Sequence, residues 1–169
     1  MVKEKSTDEL IKELLEKRDH ESKNQIEKFI NPDYSDLKNP FDFENMEAIV
    51  NKIISARKNK EKIFIYGDYD VDGISGTAFL TKFFNEIGII ADCYIPSRKE
   101  TDYGVSKKSI DYFHKRQGKL VITVDTGYNT IEDVRYAKSL DIEIIVTDHH
   151  KTVKEKFDDE ILYLNPKLS

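Results

Sequence analysis

The chain reads as an α/β protein, with a mainly parallel five-stranded sheet flanked by helices and preceded by N-terminal helices. Two observations carry this. From residue 63 onward the apolar residues come in short, nearly continuous runs, as in strands buried on both faces, with stretches between them long enough for right-handed crossover helices. Before that point they recur at three- and four-residue spacing, the signature of amphipathic helices.

Taken in order, Thr7 provides a capped start, and Leu10, Ile11, Leu14 and Leu15 form the apolar stripe of a first helix. Asn31-Pro32 and Asn39-Pro40 punctuate a loop. Asp42 is placed to cap a further helix carrying Met46, Ile49, Val50, Ile53 and Ile54, which leaves through the charged turn Arg57 to Lys62. The strand runs are Ile63–Tyr66, Ile89–Ile95, Leu120–Val124, Ile142–Val146 and the weaker Ile161–Leu164. Helices are predicted over 74–87, 106–117 and 130–140. The pattern divides the chain into a helical extension, 1–58, and an α/β domain, 59–169.

Composition narrows the class of function. A hydrophobic fraction of 38%, a charged fraction of 35% and no apolar run near the roughly 20 residues of a membrane span describe a non-membrane protein. The opening Met1-Val2-Lys3-Glu4-Lys5 has no apolar signal core, so a cytoplasmic location is expected. The net charge of −5 argues against a broad basic surface for nucleic acid but not against a nuclease, because carboxylates that hold divalent cations add to the acidic count. Cys93, the one cysteine, cannot form an internal disulfide and is expected to be buried and inert.

Three strand runs end in acidic motifs, at the edge where open α/β sheets bind ligands. Asp68 follows Gly67, Asp125 follows Val124, and Asp148 follows Thr147. The string Asp68-Tyr69-Asp70-Val71-Asp72-Gly73 opens like an EF-hand, but its twelfth position is Phe79 and a strand precedes it, so that reading fails. Alternate carboxylates converging on shared divalent cations remain. Gly73-Ile74-Ser75-Gly76-Thr77 then starts a helix, and its glycines suit either a phosphate at the helix N-terminus or close packing. Asp125-Thr126-Gly127 is also an aspartic-protease string, but such enzymes need two of them on an all-β scaffold, and here there is one in an α/β frame. A carboxylate at a central strand end is better placed to bridge two cations. Asp148-His149-His150 adds imidazole, which Mn²⁺ accepts more readily than Mg²⁺. His20 and His114 lie in polar helical contexts and read as surface residues.

In combination, Gly67-Asp68-Tyr69-Asp70-Val71-Asp72-Gly73, Asp125-Thr126-Gly127 and Asp148-His149-His150 resemble the DHH phosphoesterase superfamily, with its Rossmann-like core. Phe29-Ile30-Asn31-Pro32, Asn39-Pro40-Phe41, Ile95-Pro96-Ser97-Arg98, Tyr103-Gly104-Val105 and Asn165-Pro166-Lys167 resemble its RecJ-type branch of single-strand-specific 5′-to-3′ DNA exonucleases. That resemblance implies two-metal hydrolysis of DNA phosphodiesters in repair and recombination, with Mn²⁺, or Mg²⁺, as cofactor. By it, Asp68 and Asp70 hold one cation, Asp72 and His149 the other, and Asp125 bridges them. His150 contacts the scissile phosphate, Asp148 orients the histidines, and Arg98, Tyr103 and Gly104 help position the strand. Thr126 stands where the branch often has Cys. The branch continues past this length with another Asp motif, a second core domain and an OB-fold, so the chain is expected to be an N-terminal part, monomeric, with an incomplete second metal site and little activity. Single-stranded DNA is the implied partner, with a single-strand-binding protein or a helicase also compatible. The rival readings are a DHH enzyme acting on oligoribonucleotides, cyclic dinucleotides or pyrophosphate, and a non-catalytic module that docks a replication partner.

Overall fold

The computed structural model describes residues 5–20, 22–97, 104–127, 131–151 and 161–168. Two compact units emerge, Met1–Asn39 and Pro40–Ser169. The first holds helices α1 (Thr7–Glu16) and α2 (Lys23–Ile30). Each starts with a capping box, in which Ser6 pairs with Glu9 and Ser22 with Gln25, so that two amide groups at each helix start find acceptors. The cap of α1 is thus Ser6, and Thr7 is the first helical residue rather than the cap.

The second unit runs α3 (Met46–Lys58), β1 (Lys62–Gly67), α4 (Val71–Glu86), β2 (Ala91–Tyr94), α5 (Lys107–Lys115), β3 (Gly118–Val124), α6 (Ile131–Ser139), β4 (Glu143–Thr147) and β5 (Leu162–Leu164). Asp42 does not cap α3. It closes a 3₁₀ turn, Pro40–Asp42, and α3 follows Asn45, whose side chain makes no cap but donates to the Tyr163 carbonyl of β5 at 3.2 Å. The helix is thereby tied to the far edge of the sheet, and α3 belongs to the same compact unit as the strands.

All five strands are parallel, in the order β2-β1-β3-β4-β5. Alternation within each strand explains the continuous apolar runs. Ile63 and Ile65 of β1 join Leu120, Ile122 and Ile145 in a core with Ile49 and Ala56 of α3 and Phe84 of α4. Phe64 and Tyr66 face the other way, joining Val121, Ile144 and Val146 with Ile110 and Phe113 of α5 and Val134 and Ala137 of α6. Each such side chain contributes about 1.5–3 kcal/mol on burial, so both faces of the sheet are held firmly and the strand ends cannot drift.

At the β2 edge, Cys93 is exposed, contrary to expectation. β2 is an outer strand, and Cys93 lines an open groove beside α4 with Ile74, Ala78 and Ile95, where no further element covers the sheet among the described residues. The predicted run from Ile89 is also shorter as a strand. Ile89 is buried in the core, Ile90 is 84% exposed, and pairing begins at Ala91.

Candidate metal centre

The strand order reverses direction between β1 and β3, and ligands of open α/β sheets collect at such a switch point. Asp68 and Asp125 are the first residues beyond these two strands. The sheet ladder extends one step past its strands here. The Asp68 amide donates to the Val124 carbonyl at 3.2 Å, the Asp125 amide to Thr147 at 3.0 Å, and the Asp148 amide to Leu164 at 3.0 Å. Each aspartate is therefore fixed by the neighbouring strand, and three carboxylates come to rest on one edge of the sheet. Asp68, Asp125 and Asp148 are only 6%, 8% and 6% exposed.

Between β1 and α4 the chain turns within a few residues. Asp70 is the N-cap of α4, its Oδ1 accepting from the Gly73 amide at 3.0 Å, and the Asp68 Oδ1 accepts from the Tyr69 amide at 2.7 Å. The Gly73 bond holds the Asp70 carboxyl below the usual carboxylate range. The glycines serve close approach. A Cβ on Gly73 would lie 2.4 Å from the Asp68 carbonyl oxygen, and one on Gly67 would lie 2.1 Å from the Thr77 hydroxyl. The packing alternative for this string is the one observed, since Asp70 already takes the Gly73 amide that a phosphate would use.

Asp125 has a left-handed backbone, φ 62°, and Gly127 follows at φ 112°. Asp tolerates this conformation better than most residues, and strain of this kind collects at functional sites. Burial, and then the charge of Asp70, push the Asp125 carboxyl above its ordinary value, while His149 and His150 pull it down. The His149 Nε2 lies 2.9 Å from the Asp125 Oδ1. Beside them the Asp148 Oδ1 accepts the amides of His149 and His150 at 2.7 and 3.1 Å and lies 2.6 Å from the His150 Nδ1. This one oxygen shapes the backbone of both histidines and sets the ring of the second, as a carboxylate behind a ligating imidazole does. Asn165, 2% exposed, donates to the His150 carbonyl at 2.9 Å.

Potential ligand atoms fall into two overlapping groups, each within 4.8 Å: Asp68, Asp70 and Asp125, and Asp125, His149 and His150. Asp125 is common to both. The donor set suits divalent cations, one group being all oxygen and the other mixed oxygen and nitrogen. The Asp148 Oδ2 is buried without a hydrogen bond among the described residues.

Of the residues expected from sequence, Asp68, Asp70, Asp125, Asp148, His149 and His150 come together. Asp72 stands apart. It is exposed on the first turn of α4 and belongs to neither group, but it lines the same shallow depression as Asp125, Asp148 and His149. Arg98 and Tyr103 lie outside the described residues, and the Gly104 carbonyl accepts the buried Tyr66 hydroxyl at 2.7 Å. Sequence reading left out Thr123 and Thr147, whose hydroxyls bond beneath the cluster. A threonine within or at the end of an apolar run gives no sign of that use.

The chain is similar to known proteins in sequence and in fold. Residues 62–169 match the family described as DHH family, N-terminal domain. A stretch of 142 residues, 84% of the chain, is 33% identical to the single-stranded-DNA-specific exonuclease RecJ of Bacillus subtilis (strain 168). A stretch of 106 residues, 62% of the chain, is 36% identical to the protein of that name from Escherichia coli (strain K12). The chain spans 18% of the length of each. Among solved structures, exonuclease RecJ bound to manganese superposes with a TM-score of 0.67 at 30% identity, over 75% of this chain and 32% of that one. RecJ in complex with Mn²⁺ from Thermus thermophilus shares the fold, with a TM-score of 0.66 at 24% identity over 83% of this chain and 19% of that one. With residues 62–169, more than half of the chain, matched by the family model and the aspartate and histidine motifs gathered at one sheet edge, the chain belongs to the DHH family.

Proposed function

We propose that this chain is the cation-holding part of a single-strand-specific 5′-to-3′ DNA exonuclease of repair and recombination. The observation that supports this reading best is the sharing of Asp125 between an all-carboxylate group and a carboxylate–imidazole group. In this reading Asp68, Asp70 and the shared Asp125 would hold one Mn²⁺, and Asp125 and His149, with Asp72 in the same depression, would hold the second. When bound, such a pair supplies charge neutralisation at the phosphate and activation of the attacking water.

The chain's own residues do the rest. Asp148 fixes His150 through Nδ1, so its ring is presented to a phosphate oxygen with little orientational freedom left to lose. The ladder bonds of Asp68, Asp125 and Asp148 keep the three carboxylates from separating under mutual repulsion. Turnover draws, in this reading, on further residues of the kind that the much longer relatives carry outside the matched stretch, and this chain alone binds Mn²⁺ with little hydrolysis. A location in the cytoplasm belongs to the same proposal; among the described residues no helix is long and apolar enough to cross a membrane.

Calorimetric titration with Mn²⁺ tests the site. Binding by the unaltered chain and its loss in Asp125→Ala are expected; unchanged affinity in the variant would refute the bridging role. Substrate class is tested by adding Mn²⁺ and long 5′-phosphorylated single-stranded DNA, beside oligoribonucleotides, cyclic dinucleotides and pyrophosphate, to the full-length protein. Release of 5′-mononucleotides from the DNA is expected. Preference for a small substrate would replace the DNA assignment with another DHH phosphoesterase.

A further inference from the structure

Behind Asp125 lies a hydroxyl that no comparison and no motif assigns. Thr123, two residues before it on β3, is fully buried. Its hydroxyl donates to the Thr126 carbonyl at 2.6 Å and accepts the Thr147 amide at 3.1 Å. Thr147 answers with its own hydroxyl, donating to the Thr123 carbonyl at 2.5 Å. The first of these bonds spans the left-handed residue Asp125 and ties the loop back onto the strand that launches it. The other two cross to β4, at the residue just before Asp148-His149-His150.

Gly127 confirms how tightly the loop is drawn in. A Cβ there would sit 3.0 Å from the Thr123 Oγ1 and 3.2 Å from its Cγ2. The Asp125 amide, bonded to the Thr147 carbonyl, completes the link. A left-handed Asp is an uphill conformation that persists only where its surroundings hold it, and here three bonds of the two threonines do so.

We infer that Thr123 and Thr147 form a positioning clamp that sets the Asp125 carboxylate against His149 and His150, and so sets the affinity of the mixed carboxylate–imidazole site for a divalent cation. The inference rests on the metal-site reading above. Both hydroxyls donate to backbone carbonyls, so each threonine acts through the backbone that carries a ligand. An apolar replacement of the same shape removes the clamp without emptying the space, whereas serine retains the hydroxyl.

The experiment is Mn²⁺ titration of the full chain, by calorimetry and by loss of the free-ion electron spin resonance signal, with metal-free melting as a check of fold. Thr123→Val is expected to weaken Mn²⁺ binding by about tenfold or more, the range for groups that orient a ligand. Thr123→Ser should stay within about threefold of the unaltered chain on the same scale. A folded Thr123→Val with unchanged affinity overturns the clamp, as does Thr123→Ser losing as much as Thr123→Val, since that would make it a matter of packing. Should Thr123→Val not fold, Thr147→Val decides the matter, because it deletes the donor to the Thr123 carbonyl and leaves the β4 amide in place. Unchanged affinity there overturns the inference, and a weakened one supports it. Asp125→Ala, run alongside, separates the two readings. If it binds Mn²⁺ normally the metal site itself is refuted and the clamp with it; if it does not bind while Thr123→Val does, the clamp alone falls.

Discussion

Gly73→Ala sets two physical effects of opposite sign against each other. Gly73 lies in the first turn of α4, where alanine is the better helix former by about 0.8–1 kcal/mol. On propensity alone the variant would be more stable. The added Cβ, however, falls 2.4, 2.5 and 2.7 Å from the carbonyl oxygen, amide nitrogen and carbonyl carbon of Asp68, all backbone, where ordinary contact begins at 3.4 Å. The helix start must retreat by close to 1 Å, and the obstacle cannot swing aside as a side chain would. Overpacking of this kind costs about 1–3 kcal/mol. A retreat of that size also takes the 3.0 Å bond from the Gly73 amide to the Asp70 cap out of hydrogen-bonding range, and its loss costs about 1 kcal/mol. Subtracting the propensity gain leaves a net destabilisation of about 1–3 kcal/mol. For a unit the size of Pro40–Ser169 this lowers Tm by roughly 2–12 °C, at about 2–4 °C per kcal/mol. Scanning calorimetry of the metal-free protein reads it. A Tm equal to or above that of the unaltered chain would show that propensity wins and that the strand–helix approach is not as tight as described. The same shift moves Asp70 relative to Asp68, so Mn²⁺ affinity should fall together with Tm.

Two further outcomes follow from the carboxylates. Asp125 keeps its proton in the folded chain to a higher pH than in the unfolded one, because burial and the charge of Asp70 raise its pKa. The folded state thus binds more protons over that window, and metal-free stability must fall as pH rises through it. Asp70, with its pKa lowered by the Gly73 bond, acts in the opposite sense below the ordinary carboxylate value, where stability is lost as pH falls. Melting in chelator across pH 3–8 should show Asp125→Asn flattening the upper slope and not the lower one; an unchanged upper slope would mean that another group sets it. Asp148→Ala removes the acceptor of two backbone amides and of the His150 Nδ1 contact, and should cost about 1–3 kcal/mol in urea unfolding. It should also weaken Mn²⁺ binding by about 10–100-fold, through loss of histidine orientation. A variant as stable and as tightly binding as the original would remove Asp148 from both roles.

Much of the fold was legible because apolar periodicity reports burial directly. The strands β1, β3, β4 and β5 fall within a residue or two of their apolar runs, and α5 and α6 lie inside their predicted spans. The failures are all local. Cys93 sits in an apolar run but on an edge strand, and no sequence pattern says which strand of a sheet will be outermost. Asp42 reads as the cap of α3 but closes a 3₁₀ turn, and Asn45, which precedes the helix, holds β5, a partner 118 residues away. Thr7 and Ser6 are both capable N-caps, and the capping box with Glu9 decides between them.

Asp72 marks the same limit inside the site. The sequence reads Asp68, Asp70 and Asp72 as alternate side chains on an extended or tightly turned backbone, all three projecting toward one pocket. The chain instead caps α4 at Asp70 and is helical from Val71, ahead of the residue 74 that periodicity suggested. Once the helix has begun, successive side chains turn by about 100° rather than 180°, so Asp72 leaves the direction of the other two and reaches the surface. The early start is itself a consequence of Gly73, which lets the helix settle onto Asp68 and leaves its amide to the Asp70 carboxylate. Packing glycine, capping aspartate and displaced Asp72 are one arrangement. In it, the centre draws its buried carboxylates from three separate strand ends, and the spacing of the motif's letters matters less than where the sheet ladder stops.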